Sequence, residues 1–267
     1  MTVGVALKCE NAVVLACDSQ GTGGNYKAPM TKLVQLDAYR GLLLSGMASI
    51  GREVADALVP QLKEGAHTTP DVAERAADIM ASVYSKLAKR HEAQVPQLAD
   101  AYPAALLIGG YEKGSGQPQI YTVFSPGIAT PVENFDAIGS GRVYAAPIVS
   151  REFFSPMNQE RAQFLAVRAV MEACELDPYV GGAIRLALIR GGDKGYKERT
   201  DYVETEFRPK LKEIAALRRS LDDLLLTPGT KNEDQLAILL DKLGVFGIGD
   251  DAFVRLSGKA YASRDKK

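Results

Sequence analysis

Tryptophan is absent from this sequence, and aromatic residues of all kinds make up only 7% of it. That leaves no aromatic platform on which bases could stack, and a formal net charge of −1 supplies no basic field for phosphates, so no nucleic-acid partner is expected. Long apolar runs are also missing. The longest, such as Ala12–Cys17 and Gly41–Gly46, have the length of a strand and are far too short to span a bilayer, which argues against a membrane partner. Histidine occurs only at His67 and His91, both beside polar segments, so neither a histidine-based triad nor a zinc site is expected. The three cysteines, Cys9, Cys17 and Cys174, lie in apolar surroundings without the spacing of metal ligands. They read as buried thiols of a protein kept in a reducing cytoplasm. The N-terminus shows no charged segment followed by an apolar stretch, so no signal peptide is expected either. Any chemistry here must use groups other than imidazole, thiolate or metal.

What the chain does contain is 267 residues, 46% of them hydrophobic, enough for one large domain or for one domain with an extension. Its first fifty residues read as strands. Val3, Val5 and Leu7 alternate, Ala12–Cys17 is a compact apolar run, and Leu33–Leu36 and Gly41–Ser45 flank a turn at Asp37–Arg40. Gly21, Gly23 and Gly24 mark a loop. Two helices follow, one capped by Ser49, the other with Thr69 as N-cap, Pro70 in first position and Asp71 in the first turn. Strands resume at Ala104–Tyr111, Gln119–Phe124 and near Pro131–Phe135. Two more helices are expected after Gly139-Ser140-Gly141 and after Ser155-Pro156, then strands at Ala183–Arg190 and Asp201–Glu206. Elements grouped in this way argue against a doubly wound parallel sheet. They suit two sheets with a helix pair on each outer face.

The remaining residues differ in character. Phe207–Leu226 is a charged amphipathic helix, broken by Thr227-Pro228-Gly229-Thr230; Glu233–Leu243 is a second, shorter one, and a polar tail follows Gly244–Gly249. We divide the chain into a main domain over residues 2–215 and a C-terminal helical extension with a polar tail over residues 216–267.

The N-terminus carries the chemical signal. Initiator methionine is commonly removed when the next residue is small, as Thr2 is. Removal would give one residue a hydroxyl nucleophile and a free α-amine, whose reference pKa of about 7.7–8.0 leaves a useful neutral fraction near neutrality. Such an amine can serve as general base for its own hydroxyl, with no histidine needed.

The residues that follow strengthen this reading. Thr2–Lys8 leads into Val13-Val14-Leu15-Ala16-Cys17-Asp18-Ser19-Gln20-Gly21-Thr22, then Thr31-Lys32-Leu33 and Leu44-Ser45-Gly46-Met47-Ala48. Ile138-Gly139-Ser140-Gly141 and Asp177-Pro178-Tyr179-Val180-Gly181-Gly182 come later, in order and at compatible spacing. Together these segments resemble the proteasome β-type subunits, closest in style to the prokaryotic members without a long propeptide, including the ancestral β-subunit type. The resemblance covers roughly residues 2–215. It implies the four-layer αββα sandwich of the N-terminal nucleophile (Ntn) hydrolases, an α+β fold with two antiparallel central sheets.

Carried over by position, the resemblance implies that Thr2 is the nucleophile and that Asp18 and Lys32 form the charged pair beside it. It implies that the Gly46 N–H stabilises the oxyanion and that Ser140 and Asp177 hold the α-amine. Thr22 would pair with the substrate backbone, and Gly21, Leu44 and Ala48 would line the first specificity pocket, with room for a neutral side chain. Two positions depart from the family pattern, Val180 where a serine is usual and Gln20 where arginine is commoner. The implied function is a threonine-type peptidase or amidase of the cytoplasm, working through an acyl-ester on peptide or protein substrates. No metal or organic cofactor is implied, and self-assembly as a ring or helical stack is. Two rivals follow from the same residues: a sequence-specific transpeptidase, akin to the proteasome-related protein ligases of methanogenic archaea, and a catalytically silent assembly subunit.

Overall fold

A computed structural model of the chain describes residues 1–23, 26–63, 67–112, 116–226, 238–239 and 241–242. The chain separates into two compact units, Met1–Val203 and Glu204–Lys267. In the second unit the described structure is chiefly one helix, Arg208–Leu226, which matches the amphipathic helix expected there. The break at 227–230 and the polar tail lie outside the described residues, as does almost all of the second expected helix.

The first unit is built on two five-stranded sheets. One has the order β10-β1-β2-β11-β12, from β1 (Gly4–Cys9), β2 (Ala12–Cys17), β10 (Phe135–Ile138), β11 (Arg185–Arg190) and β12 (Gly195–Glu198). The other runs β5-β6-β7-β8-β9, from β5 (Leu33–Asp37), β6 (Arg40–Gly46), β7 (Ala104–Tyr111), β8 (Pro118–Phe124) and β9 (Ile128–Val132). Every pairing in both is antiparallel.

Strand β2 explains the layering. All its residues are buried, so it reads as a continuous apolar run rather than an alternating one, the signature of a strand covered on both faces. Val13, Leu15 and Cys17 point into the core between the sheets, with Leu43, Leu107 and Ile189. Its other face meets α5 (Gln159–Leu176), which packs on β1 and β2 beside α4 (Arg142–Glu152). On the outer side of the second sheet, α1 (Ala48–Gln61) and α2 (Thr69–His91) bury Val54, Leu58, Val72, Ala76 and Met80 against Leu42, Leu106 and Ile108. Helix, sheet, sheet, helix: this is the αββα sandwich that the grouped elements imply.

Several local expectations are corrected. The Gly-rich loop is a small hairpin, β3 (Gln20–Gly23) paired with β4 (Tyr26–Pro29). Helix α1 takes Met47 as N-cap with no side-chain bond, and Ser49 lies inside it. Thr68, not Thr69, caps α2, closing a reciprocal capping box with Asp71. A short helix, α3 (Val95–Ala101), and strand β12 were not anticipated. The strand expected at Asp201–Glu206 is helical instead: α6 (Thr200–Tyr202) continues into a π-helical turn at Val203–Phe207.

Candidate active site

The chain start is held by both strands of the β1–β2 hairpin and by the turn after β10. The Val3 N–H donates to Asp18 Oδ1 at 3.0 Å, and the Asp18 N–H donates back to the Val3 carbonyl at 3.2 Å. The Gly141 N–H donates to the Thr2 carbonyl at 3.1 Å. Gly139 makes this approach possible: its φ of +91° lies in the left-handed region, and a Cβ there would collide with the Thr2 carbonyl. Thr2 itself is 4% exposed.

Beneath Thr2 lies a buried ion pair. Lys32, 1% exposed, donates to both oxygens of Asp18 at 2.8 and 2.9 Å, and its third hydrogen bond goes to the Met1 carbonyl at 2.9 Å. An ammonium has three donors, so Lys32 is fully satisfied. Asp18 also accepts from the Gln20 N–H at 3.2 Å and the Gly181 N–H at 3.1 Å. Burial of two charges costs several kcal/mol per ion unless such bonds compensate it, and here they do. Burial, followed by the charge of Lys32, holds the Met1 α-amine below its ordinary value, while Asp18 and Asp177 oppose the shift.

Two cavities open on Thr2. The larger, about 620 Å³, is lined by Thr22, Met30, Gly46, Tyr102 and Ser140 among others. The smaller, about 260 Å³, is lined by Lys32, Leu44, Gly46, Ala48, Ser49 and Arg52. Gly46, with φ +81°, borders both, and a Cβ there would strike the Pro103 carbonyl. The six residues assigned to chemistry thus fall into three groups. Thr2, Gly46 and Ser140 face the larger cavity, Asp18 and Lys32 form the charged floor, and Asp177 lies buried at the end of α5. Asp177 raises the pKa of the Met1 α-amine through its charge, and its Oδ1 accepts from the Tyr179 N–H at 2.9 Å.

The residues assigned to binding are divided. Gly21 borders the larger cavity, Leu44 the smaller, and Ala48 both. Thr22 donates to the Tyr179 carbonyl at 2.9 Å and accepts from Gln20 Nε2 at 3.3 Å, so the unusual Gln20 is tied to it. Val180 is 4% exposed and close to Gly141, an apolar contact where the family pattern has a hydroxyl. Arg52 was missed. The signal for it was helical spacing, since Arg52 stands four residues after Ala48 on the face of α1 that Ala48 presents to the cavity. No His, Cys, Asp or Glu cluster able to hold a metal ion occurs among the described residues, and no helix there is long and apolar enough to cross a membrane.

A sandwich of this layering, with a threonine at the chain start over a buried lysine, is the fold of the β-type Ntn hydrolases. The chain belongs to the proteasome subunit family, which it matches over residues 2–189. It is 29% identical to a proteasome subunit beta of Methanococcus vannielii over 70% of this chain and 83% of that protein. To the proteasome subunit beta 1 of Thermococcus gammatolerans it is 30% identical, over 74% of this chain and 91% of the relative. The proteasome subunit beta 1 of Thermococcus kodakarensis is 26% identical over the same shares, 74% and 91%.

Proposed function

We propose that this protein is a threonine peptidase that cuts amide bonds with Thr2 once Met1 has been removed. The observation that carries the proposal is the third hydrogen bond of Lys32. It ends on the Met1 carbonyl, which is bonded to the Thr2 nitrogen, so loss of Met1 frees one ammonium donor next to the new N-terminus. That charge favours the neutral amine and the alkoxide-like state of the hydroxyl, while Asp18 keeps the lysine fixed.

In the reaction, Thr2 Oγ forms a bond to the substrate carbonyl and its proton passes to the Thr2 amine. The Gly46 N–H is the donor for the oxyanion. Collapse breaks the C–N bond, the amine returns the proton to the leaving nitrogen, and an ester to Thr2 remains. Water, deprotonated by the same amine, then adds to the ester carbonyl; collapse breaks the bond to Thr2 Oγ, the amine returns the proton to that oxygen, and the acid product leaves. Ser140 and Asp177 orient the amine through these transfers. Thr22, on β3, offers an edge along which an extended peptide can lie. The family supports self-association as a ring or helical stack, and cysteines kept as thiols support a reducing cytoplasm as the place of action.

The test is intact mass before and after exposure to a threonine-directed β-lactone. Loss of Met1 and a single adduct, absent in Thr2→Ala, is the expected result. A clean Thr2 terminus that never acylates would remove the proposal and leave an assembly subunit. Ligation to an added peptide amine outrunning hydrolysis would instead favour transpeptidation.

A further inference from the structure

We infer that the smaller cavity beside Thr2 selects an acidic side chain and that Arg52 is the residue that determines this choice; the inference rests on the threonine-peptidase reading of the same site. The cavity takes its walls from three elements. Leu44 and Gly46 come from β6, Met30 and Lys32 from the segment before β5, and Ala48, Ser49 and Arg52 from the first turns of α1. Its volume of about 260 Å³ holds one extended side chain next to the Thr2 hydroxyl.

The charges of the lining decide what that side chain can be. No carboxylate borders the cavity, and the first turn of α1 carries no acidic residue. Two cations border it, Lys32 and Arg52, and they differ. Lys32 has its charge compensated by both oxygens of Asp18. Arg52 makes no ion pair or hydrogen bond among the described residues, although Asp56 stands one turn further along the same helix. A guanidinium presents a planar fork of donors that matches a carboxylate and that a neutral side chain leaves unused. Ser45 and Ser49 supply further hydroxyl donors on the same wall. Arg52 is exposed at the mouth of the cavity, so a lysine or arginine side chain there would meet a like charge that water alone offsets. The neutral occupant expected from Gly21, Leu44 and Ala48 therefore gives way to glutamate or aspartate on the acyl side of the cut bond.

The experiment separates the pocket from the chemistry. Acetylated tetrapeptides ending in Glu, Leu or Lys are titrated calorimetrically into full-length Thr2→Ala protein, in which no turnover is possible. The Glu peptide is expected to bind about 2- to 5-fold more tightly than the Leu peptide, the range of an ion pair to an exposed guanidinium. That ratio should fall to near unity in the added Arg52→Gln variant, return in part with Arg52→Lys, and turn toward the Lys peptide with Arg52→Glu. Equal binding of the Glu and Leu peptides, or a preference that survives Arg52→Gln, overturns the inference. In the Thr2 protein, kcat/KM for coumarin amides of the same peptides should follow the same order. A binding preference in a protein whose Thr2 never acylates would sink the peptidase reading and keep the acidic pocket.

Discussion

Two buried ion clusters differ in this molecule, and among the described residues only one of them has every polar group paired. At the chain start, Lys32 donates to both oxygens of Asp18 and gives its remaining donor to the Met1 carbonyl. At the β5–β6 turn, Arg40 is 7% exposed and pairs with Asp37 at 2.6 Å, with Glu112 at 3.7 Å and with the His67 carbonyl. Glu112 in turn accepts from the Thr69 N–H at the start of α2. Yet Arg40 Nε and Thr69 Oγ1 are buried without a hydrogen-bond partner among the described residues. Desolvation of such atoms costs about 1–3 kcal/mol each. The Arg40 cluster ties a helix start to a sheet edge and tolerates imperfection. The Lys32 cluster borders a cavity next to a hydroxyl, where a misplaced charge would show in reactivity as well as in stability.

The sharpest way to break this comparison is to remove one cation from each cluster. Lys32→Met and Arg40→Met should each destabilise the fold by about 3–5 kcal/mol in urea titrations, since each strands a buried carboxylate. Their effects on β-lactone acylation of Thr2 should diverge. Lys32→Met is expected to slow it about 10²- to 10⁴-fold, the span usual for loss of a proton-transfer partner. Arg40→Met should leave it within a factor of about three at temperatures where both variants are folded. Equal losses would mean that the Lys32 pair is only structural.

Gly46→Ala comes next. The new Cβ would strike the Pro103 carbonyl and disfavour φ +81°, so the backbone must shift by enough to turn the N–H away from the cavity. A drop of about 10²- to 10³-fold in acylation rate is expected, the cost of one lost oxyanion donor. A smaller effect is expected on the other side of the comparison. Thr68→Ala opens the capping box at the α2 start beside the Arg40 cluster and should cost about 1 kcal/mol of stability, with no change in the acylation rate.

These clusters were unequally legible in the sequence. Thr2, Asp18 and Lys32 fall within one short N-terminal stretch whose motifs carry the family resemblance, and that resemblance implied their meeting; the β1–β2 hairpin brings Thr2 to Asp18, and Lys32 reaches them from just before β5 of the other sheet. Arg40 and Glu112 are joined only by the β6–β7 register and by α2 folding back over it, and nothing local announces them. The same distinction explains the missed elements. β12 has only four residues and exists because β11 pairs with it and Tyr196 leans on the inter-sheet core. Gln20–Gly23 read as a loop because its glycines lack strand propensity, but cross-strand pairing with β4 overrides that preference. Asp201–Glu206 read as a strand, but with no strand paired to it among the described residues, a helical turn satisfies the backbone locally. Arg52 required knowing which face of α1 looks at the cavity.

A third kind of buried ionisable group gives the smallest and most selective test. Cys9 and Cys17 lie on the hairpin that carries Asp18, and neither keeps a charge. Burial, then the carboxylate of Glu10, pushes the Cys9 thiol up to about 12 from an ordinary 9.0. Cys17 is pushed up too, first by burial and then by Asp18, which outweigh the opposing charge of Lys32. A raised thiol binds its proton more tightly in the folded state than in the unfolded chain. Stability from this source is therefore complete below pH 9 and is lost as the pH climbs from 9 toward 12, by at most about 1.4 kcal/mol per pH unit for each thiol. Replacing Cys9 with alanine should flatten that alkaline fall, a change of under about 1 kcal/mol at pH 9.5. The acylation rate of Thr2 should not follow it. If instead the cysteine variant altered acylation while stability stayed parallel to the parent at every pH, the hairpin would be transmitting its packing to the charged floor, and the two clusters would differ less than their hydrogen bonds suggest.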